Sequence, residues 1–154
     1  MSNQPIPISA IFEQKGKVYK PSSWVKIDQN LINEFADCTG DHQFIHTDPS
    51  KASKTPLGGT VAHGFLTLSL LPKLCESGTL LVENMVMGLN YGFNKIRFIA
   101  PVSEGKRIRV HNRVADIIEK KSNHFLITQN ISVEIEGEER PALIADWLIM
   151  IICQ

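Results

Sequence analysis

The sequence predicts one α+β domain in which an antiparallel sheet wraps around a long central helix. Three observations predict it: a helix-length segment that is apolar on nearly every side, a two-residue apolar periodicity through the second half, and turn-forming residues that divide that half into four long strands. Consecutive strands joined by hairpin-length loops are antiparallel. An apolar helix beside such a sheet is buried most simply when the sheet curls around it.

Size and charge narrow the possible classes of protein. The chain has 154 residues, and we expect residues 1–154 to form a single domain with a core from about residue 25 to residue 152. Lys plus Arg and Asp plus Glu number 16 each, so the formal net charge is zero. A neutral chain has no electrostatic footprint for nucleic acid or an anionic membrane, and the absence of charge repulsion favours self-association.

The cysteines and the apolar runs bear on the cellular compartment. Cys38, Cys75 and Cys153 lie far apart without a Cys-x-x-Cys pair, which argues against a disulfide framework and against structural zinc. Residues 1–7 lack a basic region followed by an apolar run, so no signal peptide is expected. The longest apolar run, residues 147–153, is far shorter than the about 20 residues of a membrane span. We therefore expect a reduced, soluble, cytoplasmic protein.

The first elements follow from local signals. Residues 1–23 are expected to be mostly loop, and a short strand is expected near residues 24–27. Asp28 can cap a helix over about residues 29–38 by accepting a hydrogen bond from its first turn. Gly40 suits the left-handed conformation that ends such a helix.

Two further helices are predicted before the strands. Asp48 and Pro49 are typical of a short helix start, with the acid at the cap and proline in the first turn. Residues 64–76 leave almost no polar face, and a helix that is apolar nearly all round is buried. This segment is the predicted central helix. Pro72 is expected to kink it or to thin its last turn.

The strands begin near residue 84. Apolar residues share one face up to Phe93 and continue in the opposite phase from Ile96, which predicts a bulge near Gly92. The run at residues 143–152 is apolar on both faces in its second half and predicts a central strand. Turn-forming sequences separate the strands at residues 101–105, 120–123 and 136–139. A sheet wrapped around one helix in this way is the hotdog arrangement.

A polar cluster at residues 39–48 directly follows the first predicted helix. Asp41 and His46 lie five residues apart in it, outside any clear periodicity, where catalytic residues are favoured. A carboxylate and a neutral imidazole can share one water and move its protons as it attacks. The structural alternative is that Asp41 and His42 only end the helix and that His46 is an ordinary loop histidine.

His42 and His46 also have the spacing of the His-Glu-x-x-His zinc motif. Gln43 stands where that motif has its glutamate base, and Gly40 and Pro49 interrupt the helix that the motif needs. The sequence therefore predicts no metal site.

The glycine-containing segment at residues 58–64 leads into the central helix. Glycines let a backbone approach a ligand closely, and the N–H of Gly64 is placed to hold a developing oxyanion. The structural alternative is a plain loop in which Thr60 or His63 caps the helix. We interpret His63 as a buried structural histidine rather than as a second base.

The two features together resemble the MaoC-like dehydratases, the (R)-specific enoyl-CoA hydratase group of the hotdog superfamily. The signature of that family reads Gly-Asp-x-Asn-Pro-aliphatic-His and then a small residue; residues 40–46 here read Gly-Asp-His-Gln-Phe-Ile-His, and Ala52 follows. Residues 98–102 with Gly105 also resemble the family's first long strand and its turn. The similarity spans roughly residues 25–152.

Gln43 and Phe44 depart from the usual Asn-Pro of this signature. The form Gly-Asp-His-Gln-aromatic-Ile-His is closest to the nodulation-protein-N-like branch. The departure therefore concerns acyl specificity more than the catalytic pair.

The resemblance implies a hydro-lyase of fatty acid metabolism that needs no cofactor. Asp41 and His46 would activate one water, which adds hydroxyl to C3 of a trans-2-enoyl thioester while the proton goes to C2; dehydration is the reverse. The Gly64 N–H would stabilise the thioester oxyanion. CoA or an acyl-carrier protein would carry the acyl group. Pro72 aligns where some members have a serine, and Ser69 is interpreted as a packing residue.

Two other functions remain open: a hotdog acyl-thioesterase, and a non-catalytic hotdog module that binds acyl groups. Hotdog proteins generally pair their sheets edge to edge, so we expect a homodimer or a dimer of dimers. The site would then lie near the interface, with an acyl tunnel beside the central helix. Phe44 and Phe65 are candidates for the wall of this tunnel.

Overall fold

The computed structural model describes residues 4–154, apart from the side chain of Ser77. Residues 1–3, which belong to the segment expected to be loop without a signal peptide, lie outside the described residues. The strands are β1 (Val25–Lys26), β2 (Met85–Phe98), β3 (Arg107–Lys121), β4 (His124–Ile135) and β5 (Leu143–Cys153). The helices are α1 (Gln29–Thr39), α2 (Phe44–Thr47), α3 (Pro49–Ala52), α4 (Gly64–Ser69) and α5 (Leu71–Leu74).

The strands form a curled antiparallel sheet in the order β1-β3-β4-β5-β2. β5 lies between β4 and β2, which confirms that the last apolar run is an interior strand. The register of β2 against β5 shifts between Asn90 and Gly92, where Gly92 has φ 151°, so the predicted bulge is confirmed. No helix within residues 4–154 is long and apolar enough to cross a membrane.

The predicted caps of the first helices are confirmed. The Asp28 carboxylate accepts the Leu31 N–H at 3.0 Å and begins α1. Gly40, with φ 77°, ends α1 and donates its N–H to the Ala36 carbonyl at 2.8 Å. The Asp48 carboxylate likewise begins α3. The end of α1 at Gly40 places the next residues of the chain in a loop.

The predicted central helix is divided. α4 ends at Ser69, α5 begins at Leu71, and Pro72 lies in the first turn of α5. Proline lacks an N–H and its ring clashes with the carbonyl four residues earlier, so the helix is interrupted just before Pro72. The expectation of a helix buried nearly all round is wrong, because Phe65 is 66% exposed and Ser69 is also exposed.

Two apolar clusters hold the helices against the sheet. The larger one takes the buried side of α4 and α5 through Leu66, Leu71 and Leu74. The smaller one packs Ile11 and Tyr19 of the N-terminal segment against β3, β4 and β5. The three cysteines are free. Burial raises the pKa of the Cys75 thiol to about 12, so this thiol is protonated and unreactive at neutral pH.

Candidate active site

His46 is a buried side chain on the short helix α2. Its Nδ1 lies 2.7 Å from the carbonyl oxygen of Val61. A carbonyl only accepts hydrogen bonds, so Nδ1 carries the proton of the neutral ring and Nε2 keeps a lone pair. The imidazole is therefore held in the tautomer that lets Nε2 accept a proton.

Asp41 lies in the loop between α1 and α2 and is exposed. Its Oδ1 accepts the Gln43 N–H at 3.4 Å, and its own N–H points to Thr39 Oγ1 at 3.5 Å. A carboxylate oxygen of Asp41 and one ring nitrogen each of His46 and His63 lie within 4.8 Å of one another. Two hydrogen bonds of about 2.8 Å that meet at one water can span such a distance.

His63 stands between these two residues. Its side chain is 3% exposed, and its Nε2 donates to the Asp41 carbonyl oxygen at 2.9 Å. The ring stacks on that of His46, with centroids 3.8 Å apart and planes 26° from parallel. Its Nδ1 is buried without a hydrogen-bond partner among residues 4–154. His63 is thus buried, as expected from the sequence, but it contacts both members of the predicted pair.

A carboxylate and two histidines form a set that can bind a metal ion in other proteins. Here the two imidazole planes are stacked, and the lone pair of a ring nitrogen lies in the plane of its ring. Lone pairs in two nearly parallel planes do not converge on one ion. The stacked rings therefore do not direct two lone pairs at one ion.

A cavity of about 360 Å³ contains all three site residues predicted from the sequence, namely Asp41, His46 and Gly64. The other residues that line it are Phe35, Thr39, His63, Phe65 and Ser69. Phe65, a candidate for the tunnel wall, lies in the wall of this cavity, and Ser69, interpreted as a packing residue, lies there too. Phe44, the second candidate for the tunnel wall, is 40% exposed and is not among the described lining residues.

Gly64 is the first residue of α4. None of the described residues accepts a hydrogen bond from its N–H. A Cβ at this position would come within 3.0 Å of Cδ1 and Cε1 of Phe98. Any larger residue here would need the half-exposed Phe98 ring to shift by a few tenths of an ångström, and no left-handed conformation is involved.

A polar brace that the sequence analysis missed holds the backbone of His46. Gln29 Nε2 donates to the His46 carbonyl oxygen at 2.7 Å, and Thr60 Oγ1 donates to Gln29 Oε1 at 2.5 Å. Thr60 therefore does not cap α4, and the side chain of His63, which occupies the cap position, makes no cap hydrogen bond either. No motif signals this brace, because Gln29 and Thr60 are 31 residues apart.

His42 does not take part in the site. Its Nε2 lies 3.7 Å from Asp37 Oδ1 on the surface, and α2 begins only at Phe44. His42 and His46 therefore do not share a helix face, in keeping with the rejection of the His-Glu-x-x-His interpretation.

Two further cavities adjoin the first. One, of about 270 Å³, shares Gly64 with it and is also lined by Thr67, Phe98 and Ala142. The other, of about 410 Å³, shares Ser69 with it and runs between α4, α5 and β2. Its wall is largely apolar and includes Leu68, Leu71, Phe93 and Trp147.

Comparisons with known proteins identify the family of the chain. The sequence model of the family described as MaoC like domain matches residues 12–135. Nodulation protein N of Rhizobium meliloti is 43% identical over 144 residues, which cover 93% of this chain and 89% of that protein. The 3-hydroxyacyl-thioester dehydratase Z of Mycobacterium tuberculosis is 41% identical over 134 residues, which cover 87% of this chain and 88% of that protein.

Solved structures show the same fold. A monoamine oxidase regulatory protein from Archaeoglobus superposes with a TM-score of 0.80 at 24% identity, over 100% of this chain and 99% of that one. The (R)-hydratase from A. caviae involved in PHA biosynthesis superposes with a TM-score of 0.71 at 19% identity, over 86% of this chain and 95% of that one. The predicted α+β hotdog fold is confirmed.

Proposed function

The chain belongs to the MaoC-like dehydratase family, and from this premise we propose that it is an (R)-specific hydro-lyase. It hydrates trans-2-enoyl thioesters or, in the reverse direction, dehydrates 3-hydroxyacyl thioesters. The observation that carries the proposal is that one cavity brings together Asp41, His46 and the free Gly64 N–H.

Asp41 and His46 activate one water in this proposal. The Nε2 of His46 and the Asp41 carboxylate both accept hydrogen bonds, so both hydrogens of the water have an acceptor. The water oxygen bonds to C3, one hydrogen is relayed to C2, and the other remains on the new hydroxyl. H and OH thus add across the C2=C3 bond, and positioned acid–base groups of this kind contribute about 10²–10⁴-fold.

The Gly64 N–H stabilises the negative charge that develops on the thioester oxygen. It lines the same cavity as Asp41 and His46, and no described residue competes for it. A preorganised backbone donor costs no reorganisation at the moment of reaction. The carbonyl oxygen is therefore placed at Gly64, with C2 and C3 towards the water.

The acyl chain occupies the apolar cavity that continues from Ser69 between α4, α5 and β2. The interruption between α4 and α5 just before Pro72 helps to form this cavity, since Leu71 and Pro72 both line it. This placement corresponds to the acyl tunnel expected beside the central helix. The acyl group is carried by CoA or by an acyl-carrier protein, and the reaction needs no cofactor.

A homodimer, or a dimer of dimers, is part of this proposal. β2 is an edge strand whose first half is exposed, and it carries large apolar side chains there, namely Met85, Val86, Met87, Leu89 and Tyr91. A second β2 would cover this edge and extend the sheet. We place the enzyme in the cytoplasm, with no nucleic-acid or membrane partner.

The decisive experiment follows the loss of the enoyl absorbance of crotonyl-CoA and identifies the chirality of the product. Asp41→Asn and His46→Ala should each lower kcat by about 10²–10⁴-fold, because the first removes the carboxylate and the second the imidazole that take protons from the water. Asp37→Asn and His42→Ala are the matched controls, since that exposed pair lies outside the cavity. The controls should keep the rate of the parent protein.

Other outcomes would change the assignment. Release of free thiol without loss of the enoyl group would make the protein a thioesterase. Binding of acyl-CoA without turnover, unaffected by Asp41→Asn or His46→Ala, would make it an acyl-binding module.

A further inference from the structure

The buried side chain of His63 has a ring nitrogen without a hydrogen bond, and the energetic cost of burying it needs an explanation. Its ring is 3% exposed and its Nδ1 has no partner among the described residues. A buried nitrogen without a hydrogen bond destabilises the folded state, and a side chain that served packing alone would avoid it. The other contacts of the ring must therefore explain why a histidine occupies position 63.

The first contact restrains Asp41. This residue is exposed and lies in a loop, and its local contacts with Thr39 and Gln43 are long, at 3.5 and 3.4 Å. The hydrogen bond from His63 Nε2 to the Asp41 carbonyl oxygen is shorter, at 2.9 Å, and it comes from a buried residue of a different segment. It ties the loop to the start of α4.

The second contact restrains His46. The rings of His63 and His46 stack with their centroids 3.8 Å apart, and Phe35 packs against His63 with a centroid distance of 5.1 Å. The His46 ring is thus held at its edge by Val61 and on one face by His63. One imidazole thus contacts both members of the proposed catalytic pair.

We propose that His63 is a positioning residue, which fixes the separation of Asp41 and His46 by one donated hydrogen bond and one ring face. The role rests on the proposed function for its effect on rate. Both properties are needed at once, and histidine supplies them because it is flat and carries an N–H at its far end. Its unpartnered Nδ1 follows from this geometry, since Nε2 must point to Asp41.

Two substitutions separate the contacts. His63→Gln keeps an N–H donor at the same number of bonds from the backbone and loses the ring. His63→Phe keeps a flat ring and loses the donor. His63→Met supplies the same loss of donor if the phenylalanine variant does not fold.

The test has two readouts. The first is kcat and KM with crotonyl-CoA: His63→Phe should lower kcat by about 10–100-fold at nearly constant KM, because a misplacement near 1 Å has effects of that order. His63→Gln should recover most of this loss. The second is hydrogen exchange in peptides covering residues 40–47, which should be faster in His63→Phe than in the parent and in His63→Gln.

The two readouts keep the hypotheses apart. If the parent protein hydrates no enoyl thioester, the proposed function fails, and the exchange comparison alone decides whether His63 restrains the loop. Unchanged exchange at residues 40–47 in His63→Phe overturns the inference. The inference is also overturned if both variants show the same fall in kcat, the same rise in KM and the same fall in thermal midpoint, because that result describes a packing residue.

Discussion

The short segment from Thr60 to Gly64 holds the two proposed catalytic residues, Asp41 and His46, from one side. Val61 accepts from His46 Nδ1 and donates its N–H to the Ile45 carbonyl, and His63 donates to Asp41. Each of these bonds fixes one group of the segment at residues 41–46 relative to the Gly64 amide. Preorganisation of this kind lets weak individual contacts act together at a reaction centre.

The close approach of Phe98 to Gly64 gives a steric prediction. Gly64→Ala places a Cβ 3.0 Å from two atoms of the Phe98 ring, so ring and backbone must move apart by a few tenths of an ångström. We expect kcat/KM to fall about 10-fold while the thermal midpoint stays nearly unchanged. Gly59→Ala, where a Cβ meets nothing within 4 Å, should have no effect.

The double variant Gly64→Ala, Phe98→Ala tests the cause of that loss. Alanine at position 98 removes the ring atoms that the new Cβ would meet, so the double variant should recover activity relative to Gly64→Ala alone. A further loss in the double variant would contradict the steric explanation.

Local signals in the sequence were sufficient to predict the ends of those elements that a single residue begins or ends. Asp28 and Gly40 bound α1, and Gly92 marks the bulge, because caps and unusual backbone conformations depend on the residue itself. The exposure of Phe65 was not predictable from its apolar neighbours, since it depends on which side of the divided helix faces the sheet. The Gln29–Thr60 brace was not predictable because it joins residues that only the fold brings together.

The pairing of β3 with β4 carries a charge network on its outer face. Arg109 lies opposite Glu134 in the register and binds its carboxylate through two nitrogens, at 2.6 and 3.1 Å, while His111 approaches at 2.6 Å. The hydrogen bonds from Arg109 and then His111 lower the pKa of Glu134 below its ordinary value of 4.5. The Arg109 guanidinium also lies over the ring of Trp24, the residue before β1, at 4.4 Å from the ring centroid.

A lowered carboxyl pKa makes the folded state more stable only while the group is ionised. The contribution of Glu134 is complete above its ordinary pKa and is lost as the pH falls through the lower value of the folded state. Glu134→Gln should therefore lower the free energy of unfolding at pH 7 by about 1 kcal/mol or less, and the difference should vanish in acid. Urea denaturation across pH measures it, with Glu139→Gln as the exposed control; a difference that grows in acid would contradict the sign.

The exposed edge of β2 leads to a prediction about the oligomeric state of the protein. Its apolar side chains include Leu89, which is 48% exposed, and an unpaired apolar edge invites pairing with another strand. Because a buried lysine at a β2–β2 contact has no partner, Leu89→Lys should convert the dimer into a monomer in sedimentation at micromolar concentration. Ile118→Lys replaces an equally exposed residue, at 47%, on β3 and should leave the dimer intact. Two variants that dissociate alike would place the interface elsewhere. A monomeric parent protein would remove the interface, and the polar site in the 360 Å³ cavity would then function within one chain.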